Sequence, residues 1–448
     1  MNRRIPLKRA LPILLSTSQK PPYLLSYALE GQGRQSESQS RSRDAPNHYN
    51  EGKAMDKEVV IVSAARTAIG RFQGTLSTIP AVELGGVAIA AAVERAGLDG
   101  ALVDEVLMGN VISAGEGQAP ARQATLKGGL PPTVGATTLN KVCASGLKAV
   151  IIGTQAIKAG DAQIIVAGGM ENMSLGPYLL PQARSGYRLG HGQILDATVH
   201  DGLWCSLMNW HMGMAAEFIA QEYKITRQEL DEYSLKSHQK AIQAIDKGKF
   251  EGEIVPLTVP QRKGDPITFD TDEAPRRQTS LEALAKLRPS FKEDGIVTAG
   301  NSPGITDGAA ALVVMSANKA EELGLEPLAR ITGYAQAAVE PKWLFIAPVH
   351  AIRRLLQKTG YKLDDFDLTE VNEAFAAQIV ADGKELGWDW EKVNVHGGAI
   401  ALGHPIGCSG ARILVTLLYA MKDRGARVGL ACLCLGGGEA VAMSVERV

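Results

Sequence analysis

"NKVCASGLKAVIIGTQAIKAGDAQIIVAGGMENMS" occupies residues 140–174. It reads as a loop, a helix, a turn and a strand. Apolar residues from 146 to 159 cover nearly every face of the helix, so that helix is expected to be buried on all sides. Gly160 closes it, as glycine does where the chain turns left-handed. "AQIIVAGG" then reads as a buried strand. The same plan returns in "CSGARILVTLLYAMKDRGARVGLACLCLGGGEAVAMS", residues 408–444. Ser145-Gly146 matches Ser409-Gly410, each strand runs into a glycine cluster, and both stretches close on Met-Ser. Similarity at this separation points to duplication of a whole half, since a solenoid would repeat every ~20–50 residues. Two such halves are expected to pack about a pseudo-twofold axis.

Outward from these stretches the pattern holds. "EVVIVSAA" (58–65) is a β-branched run and reads as a strand. "PAVELGGVAIAAAVERAG" (80–97) reads as a helix with Pro80 in its first turn and Gly97 at its C-cap. "VDEVLMGNVIS" (103–113) is strand-like, and "DDFDLTEVNEAFA" (364–376) takes the corresponding place in the second half. Alternation of strands and helices predicts α/β layers with parallel or mixed sheets. Residues 177–296 are richer in charge and tryptophan. Within them "TRQELDEYSLKSHQKAIQAIDKGKF" (226–250) reads as an amphipathic helix opened by a Thr226/Glu229 capping box. The expected organisation is an N-terminal extension (1–54), a first half (55–176, with strands continuing near 297–317), an inserted loop domain (177–296) and a second half (325–448).

Composition narrows the function classes. The 448 residues carry a net charge of −1, so no global field draws the chain to nucleic acid or a membrane surface. No apolar run is expected to reach the ~18 residues of a membrane span. Five cysteines in so long a chain make no disulfide framework and suit a reducing compartment. Residues 1–54 begin with Arg3, Arg4, Lys8, Arg9 and Lys20, with no acid before Glu30. They read as disordered, either a mitochondrial transit peptide or sequence upstream of a true start at Met55; the second reading is preferred, with a cytoplasmic location.

Four residues stand out chemically. Cys143 lies at the start of a helix, where the free N–H groups and the positive dipole end favour the thiolate. His404, in "GGAIALGHPIGCSG", lies just before the equivalent helix of the second half. If the halves share a fold, the two loops meet near the axis, and a Cys–His pair is a route to an activated thiol. Asn372 in "NEAFA" either serves such a site or caps the helix behind it. Cys434 shares the C-x-C of "CLCLGGG" with Cys432. No second Cys/His pair stands at ligand spacing, so no metal is expected. Both cysteines face the same side of a strand. Cys205 and Cys408 read as packing residues and His396 as structural.

"NKVCASGLKA", "NEAFA", "GGAIALGHPIGCSGAR" and "CLCLGGG", in this order, resemble the signatures of the thiolases, and the likeness runs over residues 55–448. "WHMG" (210–213) and "VTAGNSPGITDGAA" (297–310) resemble that family's coenzyme A loops. The resemblance is to the biosynthetic type. It implies two duplicated α/β halves in a layered α/β/α/β/α core plus an inserted loop domain. The implied reaction is the reversible Claisen condensation of two acetyl-CoA to acetoacetyl-CoA and CoA through an acyl-cysteine. Cys143 would be the nucleophile, His404 its base and Cys434 the second base. One oxyanion hole would be His404 with a water held by Asn372, the other the N–H groups of Cys143 and Gly436. Arg276, His211, Met212, Ala299, Gly300, Leu344 and Phe375 would contact the substrate. Pro303 stands where many relatives have serine. No cofactor is implied, since coenzyme A thioesters are the substrates, and assembly as a homodimer or homotetramer is expected. The alternatives are a degradative 3-ketoacyl-CoA thiolase, a ketoacyl-carrier-protein synthase and a non-catalytic acyl-CoA-binding relative.

Overall fold

The computed structural model describes residues 58–448. The expectations for residues 1–54 lie outside the described residues. The first half runs β1 (Val59–Thr67), α1 (Ala81–Arg95), β2 (Glu105–Gly109), α2 (Pro120–Lys127), β3 (Gly135–Leu139), α3 (Ser145–Ala159) and β4 (Ile164–Asn172). An insertion follows, holding α4 (Met212–Glu222) and α5 (Arg227–Asp246); β5 (Thr306–Ser316) then returns to the first half. The second half runs β6 (Ala329–Ala338), α6 (Ala347–Thr359), β7 (Leu368–Val371), α7 (Ala376–Leu386), α8 (Ile406–Arg424), β8 (Val428–Leu435) and β9 (Glu439–Glu446).

The strands follow the path β7-β8-β9-β6-β1-β5-β4-β2-β3. In the first half β2 is parallel to β4, while β4–β5 and β5–β1 are antiparallel. In the second, β7 is parallel to β8, while β8–β9 and β9–β6 are antiparallel. The two halves therefore repeat one topology. They join through the equivalent strands β1 and β6, which pair only at Val60–Arg330 and Ile61–Ala329. β1, β4 and β8 are buried along their whole length because helices cover both faces of the sheet. α1 and α2 pack on the outer face of the first half and α6 on that of the second. α3 and α8 lie between the halves, and α8 touches strands of both. These are the layers of an α/β/α/β/α sandwich.

At the centre α3 crosses α8. A Cβ on Gly146 would stand 2.6 Å from the backbone nitrogen of Ala411, and one on Gly410 would run into the backbone of Leu147. The duplicated Ser-Gly pairs are thus the points of closest approach, where only glycine lets two helices meet backbone to backbone. This crossing carries the loops in front of both helices to the same place.

Several expectations shift in detail. Pro80 is the N-cap of α1 rather than part of its first turn, and Gly97 (φ 63°) follows the C-cap at Ala96. β2 is shorter than 103–113, since the amides of Val111 and Ile112 turn away to bond the Glu171 carboxylate. α8 opens at Ile406, so Ser409 and Gly410 lie inside its first turns. Residues 142–159 do form a stretch of 18 residues with mean hydropathy 1.2, long and apolar enough to cross a membrane by composition. Here that stretch carries α3, the core helix between the halves, and the sequence expectation of no such run is corrected.

α5 opens with the capping box of Thr226 and Glu229. It packs with α4 on α7, and Phe345, Phe375, Leu344 and Ile219 share their core. Glu217 of α4 accepts hydrogen bonds from the amides of Ile296 and Val297 (3.0 and 2.8 Å). Arg66 of β1, fully buried, grips Asp272 through two bonds (2.7 and 2.8 Å) and Glu253 at 2.6 Å. The insertion is thereby fastened to both halves, and losing one partner of so buried an ion group would leave an uncompensated charge.

Candidate active site

Cys143 follows a strained turn. Val142 adopts φ +47°, which a β-branched residue takes only under constraint and at a cost of about 1–3 kcal/mol. Three bonds hold it. The Val142 amide donates to Asn140 Oδ1 (2.9 Å), the Lys141 amide to Ser145 Oγ (2.8 Å), and Ser145 Oγ donates to the Val142 carbonyl (2.6 Å). The turn presents Cys143 directly ahead of α3. Burial pushes its thiol up to about 12, against the backbone N–H groups of Cys143 and Gly436, which point at Sγ and pull it down. The expectation that the helix start favours a resting thiolate is corrected. A helix end contributes about 0.3–1 kcal/mol, less than burial of the charged form costs.

His404 follows Gly403, whose φ of +107° suits glycine alone. His404 Nδ1 lies 2.6 Å from Ser409 Oγ, which donates its single proton to the Pro405 carbonyl at 2.8 Å. The hydroxyl therefore accepts from Nδ1–H, and Nε2 carries the lone pair. Nε2 faces Asn372 Nδ2 at 3.4 Å. Burial, with Arg412 adding to it, pulls His404 down to about 3. The resting pair is thus a neutral thiol and a neutral imidazole.

Asn372 does not cap α7; its N-cap is Phe375, without a side-chain bond. Asn372 Oδ1 is buried with no hydrogen-bond partner among the described residues. Cys434, on β8, is fully buried, and burial first, then Cys143, Asp382 and Cys432, hold its thiol well above the usual range. Cys432 sits in a separate core cluster and contacts the Pro348 carbonyl at 3.9 Å, so it packs beneath the site. All five cysteines are free, and among the described residues no three His, Cys, Asp or Glu side chains gather as a metal site requires.

Cys143, His404, Cys434 and Gly436 line one cavity of about 360 Å³. His211, Met212, Arg276, Ala299, Leu344 and Phe375 line it as well. Gly300 is not among the lining residues; a Cβ there would run into the side chains of Leu284 and Leu287 of the insertion. His211 caps α4 by accepting from the Gly213 amide at 3.0 Å, and its ring stacks on Phe291 with centroids 4.8 Å apart. The Arg276 guanidinium has no ion-pair partner among the described residues, so its donors are available to the cavity. Ser302 and Pro303 both line it, but the Ser302 hydroxyl is spent on the Thr298 carbonyl at 2.7 Å. Two buried carboxylates beside the site, Glu171 and Glu373, escaped the sequence reading although both lie inside quoted motifs. The available signal was a charge set in an otherwise apolar or glycine-rich run.

His396 is a structural histidine, 5% exposed, edge-on to Phe250 at 5.8 Å. Burial first, and then Arg424, pull it from 6.5 to about 4. The unfolded chain therefore binds this proton more readily. Stability is fully present above pH 6.5 and drains away as pH falls towards 4, by about 2 kcal/mol at pH 5. His396→Asn should shrink the difference in urea-unfolding free energy between pH 7.5 and pH 5 by about that amount. An unchanged difference would show that His396 titrates normally.

The chain matches the family model for the thiolase N-terminal domain over residues 59–318 and that for the thiolase C-terminal domain over residues 325–447. It is 58% identical over 391 residues to the acetyl-CoA acetyltransferase of Pseudomonas aeruginosa, covering 87% of this chain and 100% of that protein. It is 58% identical over 393 residues to that of Escherichia coli, covering 88% and 100%. A crystal structure of the Bacillus anthracis acetyl-CoA acetyltransferase superposes with a TM-score of 0.86 at 46% identity, covering 88% of this chain and 99% of that one. The chain belongs to the thiolase family, and its fold is the thiolase fold.

Proposed function

We propose that this chain is an acyltransferase that condenses two acetyl-CoA molecules to acetoacetyl-CoA and CoA, reversibly, through an acetyl-Cys143 intermediate. The observation that carries the proposal is one cavity lined by Cys143, His404 and Cys434, with two backbone N–H groups aimed at the Cys143 sulfur. The names and identities of the relatives support acetyl-CoA as the donor.

The chemistry follows from the protonation states. His404 Nε2 takes the Cys143 proton as Sγ attacks the thioester carbonyl, so the thiolate forms only as it is consumed. The N–H groups of Cys143 and Gly436 hold the resulting oxyanion. The C–S bond to coenzyme A breaks, and Cys434 gives its proton to the departing thiolate. Cys434, now a strongly basic thiolate in an apolar setting, removes an α-proton from the second acetyl-CoA. The enolate oxygen is met by His404 Nε2–H and by a water on Asn372 Oδ1. The carbanion attacks acetyl-Cys143, the new C–C bond forms, and Cys143 leaves as thiolate and recovers its proton from His404. Arg276 suits the anionic end of coenzyme A through its fork of donors. Coenzyme A thioesters are the only partners the reading requires. The bacterial relatives support a cytoplasmic setting over a mitochondrial one. Assembly as a homodimer or homotetramer rests on the resemblance alone.

Acetoacetyl-CoA should be cleaved with kcat/KM at least about 10-fold above that for 3-ketododecanoyl-CoA, as the names of the relatives suggest, with Leu344, Phe345 and Ile406 lining the cavity as buried apolar side chains. The reverse order would establish the degradative reading.

A further inference from the structure

Glu171 and Glu373 are fully buried, and neither lines the cavity. Each sits at one end of the segment 398–407 that carries His404. At the front end Glu373 accepts from the Ile400 amide (2.9 Å), Ser237 Oγ (2.8 Å), the Tyr233 hydroxyl (2.7 Å) and Asn394 Nδ2 (3.0 Å). Ser237 Oγ accepts in turn from the Gly398 amide at 3.1 Å. At the back end Glu171 accepts from the amides of Gly407 (2.9 Å), Val111 (3.1 Å) and Ile112 (3.1 Å) and from Asn110 Nδ2 (3.3 Å). A Cβ on Gly407 would stand 2.8 Å from a Glu171 oxygen.

Each carboxylate ties the His404 segment to a different part of the site. Glu373 is the neighbour of Asn372, so it joins the histidine segment to the amide that faces Nε2. Glu171 ends β4 of the other half, and the loop it bonds shares a core with Ile406 and Cys143. It therefore crosses between the halves, where no covalent link sets the distance from Cys143 to His404. Burial pushes the Glu171 carboxyl up to about 8. That position already includes the pull of the Ile112, Gly407 and Val111 amides and the opposing push of Glu116; what the geometry fixes is that both Glu171 oxygens stand as acceptors toward N–H donors. Burying two carboxylates is costly unless every lone pair is used. Both carboxylates also satisfy backbone amides that would otherwise be buried without an acceptor, so they fix the path of the chain that carries His404.

We propose that Glu171 and Glu373 are positioning residues, two buried carboxylates that clamp the two ends of the His404 segment and so set His404 against Cys143 and Asn372. The inference rests on the proposed role of His404 as base. Glu171→Gln keeps the shape but turns an amide NH₂ toward N–H donors, which must move apart. A base displaced by an ångström costs up to about 100-fold in rate.

The test compares wild type, Glu171→Gln, Ser237→Ala and His404→Asn. Two quantities are read: kcat and KM for acetoacetyl-CoA cleavage, and the rate of Cys143 alkylation by iodoacetamide from pH 6 to 10, followed on the Cys143 peptide. Glu171→Gln is expected to lower kcat about 10- to 100-fold with KM within about 3-fold. Its alkylation should be slow at pH 7 and climb steeply with pH, as in His404→Asn. A mere loss of folded fraction would instead scale the wild-type profile without changing its shape, and that result overturns the inference. If Glu171→Gln does not fold, Ser237→Ala decides: it removes two bonds at the other clamp, the one to Glu373 and the one from the Gly398 amide, and an unchanged kcat and profile there overturns the inference too. If His404→Asn itself matches wild type, the base assignment fails and the clamp has nothing to position.

Discussion

Cys143→Ala should fold normally and lose at least about 10⁴-fold in the cleavage of acetoacetyl-CoA by CoA, with no acetyl group trapped on the peptide that holds residue 143. The size follows from what remains. Alanine leaves the turn at Val142, the cavity and the two N–H groups in place, so substrate binding and oxyanion stabilisation survive while the covalent step has no nucleophile. No other thiol can stand in. Cys434 lacks the Cys143 and Gly436 amides aimed at its sulfur, and Cys432 packs outside the cavity. Stopped-flow turnover and mass spectrometry of the labelled peptide are the two readings. Retention of more than about 1% of turnover would refute the acyl-cysteine route.

The second large effect separates the half-reactions. Cys434→Ala should still accept an acetyl group from acetyl-CoA onto Cys143, slowed about 10-fold because the leaving thiolate loses its proton donor. Carbon–carbon bond formation should fall by at least about 10³-fold, since no other base near the α-carbon can replace it. His404 is already protonated at that stage. A variant that accumulates acetyl-Cys143 but makes no acetoacetyl-CoA is the expected result. Equal loss of both steps would mean that Cys434 acts in acyl transfer, and preserved condensation would remove it from the mechanism.

Much of this molecule was written locally. The duplicated Ser-Gly pairs announced two copies of one topology, and the strands confirm the same parallel–antiparallel–antiparallel order in each. The capping box at Thr226 and the helix end at Gly160 were read from two or three neighbouring residues, because caps are short-range physics. Strand ends were harder. The amides of Val111 and Ile112 could have continued β2, and they leave it for a carboxylate 60 and 59 residues away in sequence.

The sequence was enough to name the loops that carry Cys143, Asn372, His404 and Cys434, and to imply that duplication would bring the first and third together. Which chemistry those groups hold at rest was decided by the tertiary structure. Helix position favoured a thiolate at Cys143, yet burial from both halves favours the neutral thiol and a neutral His404. The same holds for Gly300, where Leu284 and Leu287 leave no room for a side chain, and for Glu171 and Glu373, which look like ordinary acids in a string of letters. Desolvation and hydrogen-bond partnership depend on what the rest of the chain packs around a group. A local stretch of sequence specifies the group and its backbone, and only the completed fold specifies its surroundings.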